Sequence, residues 1–237
     1  MGNDFFRFKQ FTIHQARCAM RVTTDACILG AWVARHYPSS GRVLDIGSGT
    51  GLLMLMMAQQ MTGWIDGVEM EQSAVEESCR NIEDSPWSDQ ITVHHADIRA
   101  YRSEIPYDLI VSNPPFFHGD LKRPEAAQNL AMHGTELSLM ELVSAIDRLL
   151  AADGMSIILI PPHRSEELNS LMRDAGLREV TSLTVRHSRN HPELRRISVF
   201  SRRTDVVKMH EVLDIREPDG SYSHACRNLL EPYYLIF

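Results

Sequence analysis

The stretch Val43-Leu44-Asp45-Ile46-Gly47-Ser48-Gly49-Thr50-Gly51 constrains the fold more than any other part of the chain. Val43, Leu44 and Ile46 read as a buried strand, an apolar helix opens at Leu52, and three glycines at alternate positions separate the two. A strand that turns at once into a helix needs backbone that bends sharply and lies close to whatever it binds. Glycine allows both because it carries no Cβ. The pattern departs from the dinucleotide fingerprint G-x-G-x-x-G, since Leu52 stands where the third glycine belongs, and this argues against a nicotinamide or flavin site.

From this turn onward apolar runs of strand length alternate with runs of helical period. The spacing predicts strands over 42–46, 64–69, 91–95 and 107–112, with helices over 52–60 and 72–82. After a long polar stretch, 117–135, it predicts a helix at 137–150, a strand at 155–160, a helix at 165–175 and strands near 177–185 and 195–201. Asn190-His191-Pro192 joins the last two as a hairpin. Strands separated by helices mean β-α-β units and an α/β fold, here a seven-stranded, mostly parallel, Rossmann-like sheet whose last pair is antiparallel. Upstream, Thr24 or Asp25 is placed to cap a helix that Pro38 to Gly41 closes off, and residues 5–13 suggest short extended structure. Downstream, a turn at Pro218-Asp219-Gly220 and a short helix near 224–230 form an appendage.

At 237 residues the chain fits one domain, with 1–40 as an N-terminal extension, 41–203 as the core and 204–237 as a C-terminal appendage. No apolar run approaches the roughly 18 residues that a membrane span needs. Asp4, Arg7 and Lys9 interrupt the N-terminal phenylalanines, so neither a membrane protein nor a secretory signal is expected, and the expected location is the cytoplasm. Cys18, Cys27, Cys79 and Cys226 are scattered without a C-x-x-C pair. His94 and His95 would point to opposite faces of a strand, so a metal site is not expected. The formal charge of −7 argues against a protein that coats nucleic acid through a general positive field. It leaves room for a local basic face, and arginines gather at Arg186, Arg189, Arg195, Arg196, Arg202 and Arg203; a solvated hairpin face explains any one of them equally well.

In an open α/β sheet, ligands bind beyond the carboxyl ends of the strands, so Gly47, Glu69, Asp97 and Asn113 can converge although they are far apart in sequence. Glu69 follows the glycine turn by about the distance at which an acidic residue accepts both hydroxyls of a ribose.

Leu-Asp-Ile-Gly-x-Gly-x-Gly on the first core strand, Glu69 ending the second, Asp97 after the third and Asn113-Pro114-Pro115-Phe116 after the fourth resemble the class I S-adenosylmethionine-dependent methyltransferases of the amino-methylating branch. The runs Val22-Thr23-Thr24-Asp25-Ala26-Cys27 and Pro218-Asp219-Gly220-Ser221-Tyr222-Ser223 are similar to those of the bacterial tRNA(Val) adenine N6-methyltransferase family, which modifies adenine 37, next to the anticodon on its 3′ side. The resemblance implies an enzyme with S-adenosylmethionine as cofactor, S-adenosylhomocysteine as product, no metal, and tRNA as the partner.

It places Asp45 and Gly47, within the Gly47-Gly49-Gly51 turn, near the cofactor's methionine portion, Thr24 near the methionine end, and Asp97 at the amino group of its adenine. The catalytic role falls to Asn113, Pro114 and Phe116. An aromatic exocyclic amine is a poor nucleophile because its lone pair is delocalised into the ring. The Asn113 side-chain oxygen and the Pro114 carbonyl can accept its N–H groups and aim the lone pair at the methyl. The two prolines stiffen the turn, and Phe116 would stack on a base drawn out of the RNA. A protein glutamine methyltransferase or a guanine amino methyltransferase acting on ribosomal RNA poses the same problem to a similar turn. A catalytically silent fold that binds RNA is the non-enzymatic alternative.

Overall fold

The computed structural model describes residues 3–18, 20–39, 41–114, 137–205 and 208–237. A small hairpin of β1 (Phe5–Arg7) and β2 (Thr12–His14) precedes α1 (Thr24–His36). The core then alternates β3 (Arg42–Ile46), α2 (Leu52–Ala58), β4 (Trp64–Glu69), α3 (Gln72–Glu83), β5 (Ile91–His95) and β6 (Tyr107–Ser112). It continues through α4 (Leu139–Leu149), β7 (Leu150–Ile160), α5 (Ser165–Asp174), β8 (Arg178–Arg186) and β9 (Glu193–Ser201), and ends with β10 (Met209–Asp214) and α6 (His224–Leu230).

The main sheet runs β10-β8-β9-β7-β6-β3-β4-β5. All its neighbours are parallel except β9, which is antiparallel to both β7 and β8. The Rossmann-like class is as expected, and the strand count is corrected from seven to eight. The added strand is β10, which pairs with β8 from Met209↔Thr181 to Asp214↔Arg186. In β10 only Leu213 is buried, so this edge strand lacks the apolar alternation that marks a strand in sequence. Strand β7 also starts at Leu150, five residues before the expected position.

Successive residues of the central strands face opposite sides of the sheet. Val43, Leu109 and Val111 join one core cluster, whereas Leu44, Ile46 and Ile110 join the other. Both faces are covered, as a parallel sheet requires. Helix α2, Leu-Leu-Met-Leu-Met-Met-Ala, is buried along its whole length. It lies under α1 and under the chain's last segment, where Tyr233 donates from its hydroxyl to the Met56 carbonyl at 3.0 Å and Pro232 accepts from Gln59 Nε2 at 2.8 Å. The glycine turn therefore leads into a helix that cannot shift without opening the core.

Helix α1 is capped by Thr23, one residue earlier than expected. Its Oγ1 accepts the Ala26 N–H, and Thr24 and Asp25 occupy the first turn. No helix among the described residues is long and apolar enough to cross a membrane.

Candidate active site

Strand register brings the carboxyl ends of β3, β4 and β6 side by side. Ile46 pairs with Val68 on one flank and with Ser112 on the other. The buried Ser112 hydroxyl donates to the Ile46 carbonyl at 2.9 Å, so the turn that starts at Asn113 is pinned beside the turn that starts at Gly47. Above these ends lies a cleft of about 430 Å³ whose lining includes Gly47, Gly49, Glu69, Asp97, Asn113 and Pro114.

The glycine turn is held from below. Gly47, Gly49 and Gly51 have φ of 74°, 53° and 82°, a left-handed backbone that non-glycine residues adopt at a cost. Its N–H groups point inward: those of Gly47 and Ser48 donate to the Val68 carbonyl at 2.9 and 3.3 Å, that of Gly51 to the Ser48 carbonyl at 2.9 Å, and that of Gly49 to Glu69 Oε2 at 2.9 Å. Phosphate-binding loops cradle an anion with outward-facing N–H groups. A turn that spends its donors inward suits a ligand without phosphate.

Glu69 is fixed as firmly. Its second oxygen accepts the N–H groups of Met70 at 2.8 Å and Glu71 at 3.0 Å, so three backbone donors hold one carboxylate at the cleft wall. Beneath the turn, Asp45 is fully buried with both carboxylate oxygens lacking a hydrogen-bond partner among the described residues. Burial, with the Glu69 carboxylate as a second cause, pushes its pKa up to about 8. A buried, unsatisfied acid beside a second carboxylate favours a cationic ligand above it.

Asp97 lies at the other end. Its two oxygens accept from Arg99 Nε at 2.9 and 2.8 Å, from Arg99 Nη2 at 2.6 Å and from the Arg99 N–H at 2.9 Å, and these bonds hold its carboxyl below the usual range. Arg99 also reaches Glu141 in the first turn of α4 at 3.4 Å, and Arg148 of the same helix donates to the Ile98 carbonyl at 2.8 Å. Two arginine contacts thus fasten the Asp97 wall to α4.

Six of the expected residues, Gly47, Gly49, Glu69, Asp97, Asn113 and Pro114, meet in the cleft. Three do not line it. Asp45 lies under the floor, Gly51 enters α2 with its Cα facing Ser78, and Thr24 sits half-buried in the first turn of α1. Phe116, also expected there, lies outside the described residues, as does Pro115.

The structure adds a wall that sequence reasoning missed. Residues 14–18 and 20–22 form a strap that brings Arg17, Cys18 and Met20 to the cleft lining. Asn81 of α3 anchors the strap and the glycine turn together, accepting the His14 N–H at 2.9 Å and donating to the carbonyls of His14 at 3.0 Å and Thr50 at 2.9 Å. Glu77 accepts the Arg17 N–H at 3.0 Å. The only sequence signal was polar residues on the apolar face of α3, where Glu77 and Asn81 stand four apart and are both buried.

Comparison with known proteins agrees with this geometry. The family model for the methyltransferase small domain matches residues 26–139. Among solved structures, a predicted O-methyltransferase from Agrobacterium tumefaciens superposes with a TM-score of 0.67 at 16% identity, covering 88% of this chain and 96% of the other, so the fold is shared. Two curated relatives, both tRNA1(Val) (adenine(37)-N6)-methyltransferases, are similar from end to end. That of Dyadobacter fermentans is 41% identical over 99% of both chains, and that of Phocaeicola vulgatus is 40% identical over 99% of both. With glycine turn, acidic strand ends and Asn113-Pro114 in one cleft and relatives matched over their full length, the chain belongs to the tRNA1(Val) (adenine(37)-N6)-methyltransferase family.

Proposed function

We propose that the protein transfers a methyl group from S-adenosylmethionine to N6 of adenine 37 in tRNA1(Val). The observation that carries this reading is that Asn113 and Pro114 share one cleft with Gly47, Glu69 and Asp97, with Ser112 bonded to the neighbouring strand end just before Asn113. The residues fit the cofactor: it has no phosphate, and the turn's N–H groups are spent inward; it is cationic at sulfur and at its amino group, and carboxylic acids stand at the cleft wall in Glu69 and beneath the glycine turn in Asp45. When bound, S-adenosylmethionine supplies a methyl group on a sulfonium leaving group, so no further activation of the donor is needed.

The chain's own residues bind and orient. Glu69 keeps lone pairs for ribose hydroxyls while its other contacts hold it still. Arg99 keeps Asp97 ionised toward the adenine. Asp45, beneath the glycine turn, becomes a counter-charge when a cationic ligand above it displaces its proton. Asn113 is half-buried at the cleft, and among the described residues its amide has no hydrogen-bond partner, which leaves its oxygen available to an acceptor amine. The Pro114 carbonyl is the second acceptor. Orientation of this kind lowers a barrier by up to roughly 7–11 kcal/mol when the reacting atoms are well aligned. The proposed Phe116 contact with the extruded base completes the acceptor side.

The test is methylation of tRNA1(Val) transcripts with labelled cofactor. Label should enter the transcript with adenine 37 and not one with guanine there, and digestion should yield N6-methyladenosine. Label in a protein glutamine, in ribosomal guanine, or nowhere despite cofactor binding would overturn the reading in favour of the alternatives weighed from sequence.

A further inference from the structure

The sheet order divides the working end of the molecule in two. Strands β3, β4 and β5 carry the glycine turn, Glu69 and Asp97 on one side of Asn113, while β7, β9, β8 and β10 lie on the other. That second half is not level with the cleft floor. Ser112 pairs with Ile158, Ile158 with Ser198 and Ser198 with Ser182. Strand β8 then continues four residues further to Arg186, roughly 13 Å at the rise of a strand, before the chain turns back at 187–192. The β8–β9 hairpin therefore stands above Asn113 as a wall on the side away from the cofactor residues.

Most of the arginines that cluster in this part of the sequence are committed within the protein. Arg186 pairs with Asp214 at 2.8 Å, Arg195 with Asp25 at 2.9 Å, and Arg196 lies 3.8 Å from Glu179. Arg202 and Arg203 pair with Asp147 and Asp205 beyond the other end of β9. Arg189, at the tip of the hairpin, is exposed and has no ion-pair partner among the described residues. It is flanked by His187 and His191, whose rings lie 5.1 Å apart, and Ser188 shares a 2.7 Å hydrogen bond with His191 Nδ1. The Asp25–Arg195 pair ties this hairpin, just below its turn, to the first turn of α1. The strap that leads into α1 carries Arg21, also exposed and without an ion-pair partner among the described residues, next to the cleft-lining Met20.

On the reading that the acceptor is tRNA, we propose that the β8–β9 tip around Arg189, on the acceptor side of Asn113, and the strap cation Arg21, beside the cleft mouth, together form the phosphate-binding face that grips the RNA backbone. In a chain of net charge −7, affinity for a polyanion has to come from local cations that are not already neutralised, and these two stand at the cleft's own end of the sheet. Phosphate contacts fix register and orientation without reading sequence, which is the service a single catalytic cleft needs from its surroundings. A rival surface exists: Arg173, Arg178, Arg202 and Lys208 line a concavity where β8 begins and β9 ends, facing away from Asn113.

The experiment is charge reversal at both surfaces in the full-length protein: Arg189→Glu, Arg21→Glu and, at the rival surface, Arg178→Glu. Binding to tRNA1(Val) is measured across a salt series, and S-adenosylmethionine affinity by calorimetry. Arg189→Glu and Arg21→Glu should each weaken tRNA binding about tenfold or more and reduce the salt slope by about 1, with cofactor affinity within twofold of wild type. Arg178→Glu should change none of these. Unaltered affinity and slope for Arg189→Glu would overturn the proposal, as would an equal loss in Arg178→Glu. A wild-type protein that labels the tRNA while Arg189→Glu behaves identically sinks this surface alone; a wild type that neither binds nor labels it sinks the functional reading as well.

Discussion

Glu69 Oε2 accepts the backbone N–H of Gly49 at 2.9 Å, joining two residues twenty positions apart across the ends of β3 and β4. The same carboxylate that faces the cleft also sets the shape of the glycine turn. Ligand recognition and loop geometry are thereby one device.

Glu69→Ala should consequently harm both. It removes the acceptor proposed for the ribose and leaves the Gly49, Met70 and Glu71 N–H groups without their partner. Hydrogen bonds to a charged group contribute about 1.5–3 kcal/mol each, so a loss of roughly 10- to 100-fold or more in S-adenosylmethionine affinity is expected, with a lower melting temperature. Glu69→Gln should not rescue it, because the amide turns an NH₂ toward one set of N–H donors. Calorimetry showing wild-type affinity in either variant would remove Glu69 from the cofactor site.

Asp45 should make stability and binding depend on pH. Its folded pKa, about 8, stands above its ordinary 3.8, so between about pH 4 and pH 8 the unfolded chain releases a proton that the folded chain keeps. Stability from this group therefore falls as pH rises through that window, and the full penalty is present above it. The melting temperature of Asp45→Asn relative to wild type should climb from pH 5 to pH 8. A cationic ligand above Asp45 should expel the proton, so cofactor affinity should rise toward pH 8, and calorimetry near pH 7 in buffers of different ionisation heat should detect proton release. Identical heats in all buffers would show that Asp45 does not respond to the ligand.

Gly67 tests how tightly the turn is packed from beneath. It lies in β4 opposite Asp45, and a Cβ built there would come within 2.5 Å of the Met54 sulfur and 3.0 Å of the Ser48 Cβ. Gly67→Ala should push the glycine turn and α2 away from the sheet and destabilise the protein by about 1–3 kcal/mol, typical of overpacking. Denaturant unfolding should show this, together with a weaker cofactor. A fully stable variant would mean that Met54 can move aside without disturbing the turn.

How far the sequence could be read depended on how each feature is encoded. Core strands such as Tyr107–Ser112 carry an apolar run, here Leu109-Ile110-Val111, because both faces are buried there, and their bounds were read correctly. The same holds for Gly47, Glu69, Asp97 and Asn113, since strand ends of an open parallel sheet must lie together. Strand β10 was not legible because an edge strand with one buried residue carries no such pattern. The strap was not legible either: Arg17, Cys18 and Met20 reach the cleft through contacts with α3, among them those of Glu77 and Asn81, tertiary contacts that local spacing does not encode. Which arginines of the cluster are already paired was not legible for a related reason, since Arg195 and Asp25 are 170 residues apart in sequence and only the fold reveals their pairing.

Asn113 separates holding the cofactor from aligning the acceptor. It follows Ser112, whose hydroxyl is bonded to Ile46, so the backbone at this point is fixed by strand pairing and not by the Asn113 side chain. Asn113→Ala should therefore leave the glycine turn, Glu69 and cofactor affinity close to wild type. What it removes is an oxygen that accepts from the acceptor amine as the lone pair turns toward the methyl group. Each 1.36 kcal/mol of lost transition-state stabilisation lowers the rate about tenfold, and loss of one preorganised polar contact of this kind typically costs about 2.7–4 kcal/mol, so a fall of roughly two to three orders of magnitude is expected. The loss should appear in kcat more than in the KM for the cofactor, and single-turnover methylation of tRNA1(Val) at saturating cofactor measures it directly. Near wild-type turnover in Asn113→Ala would mean that the Pro114 carbonyl alone orients the amine, and the two-acceptor mechanism would have to be abandoned while fold and family stand.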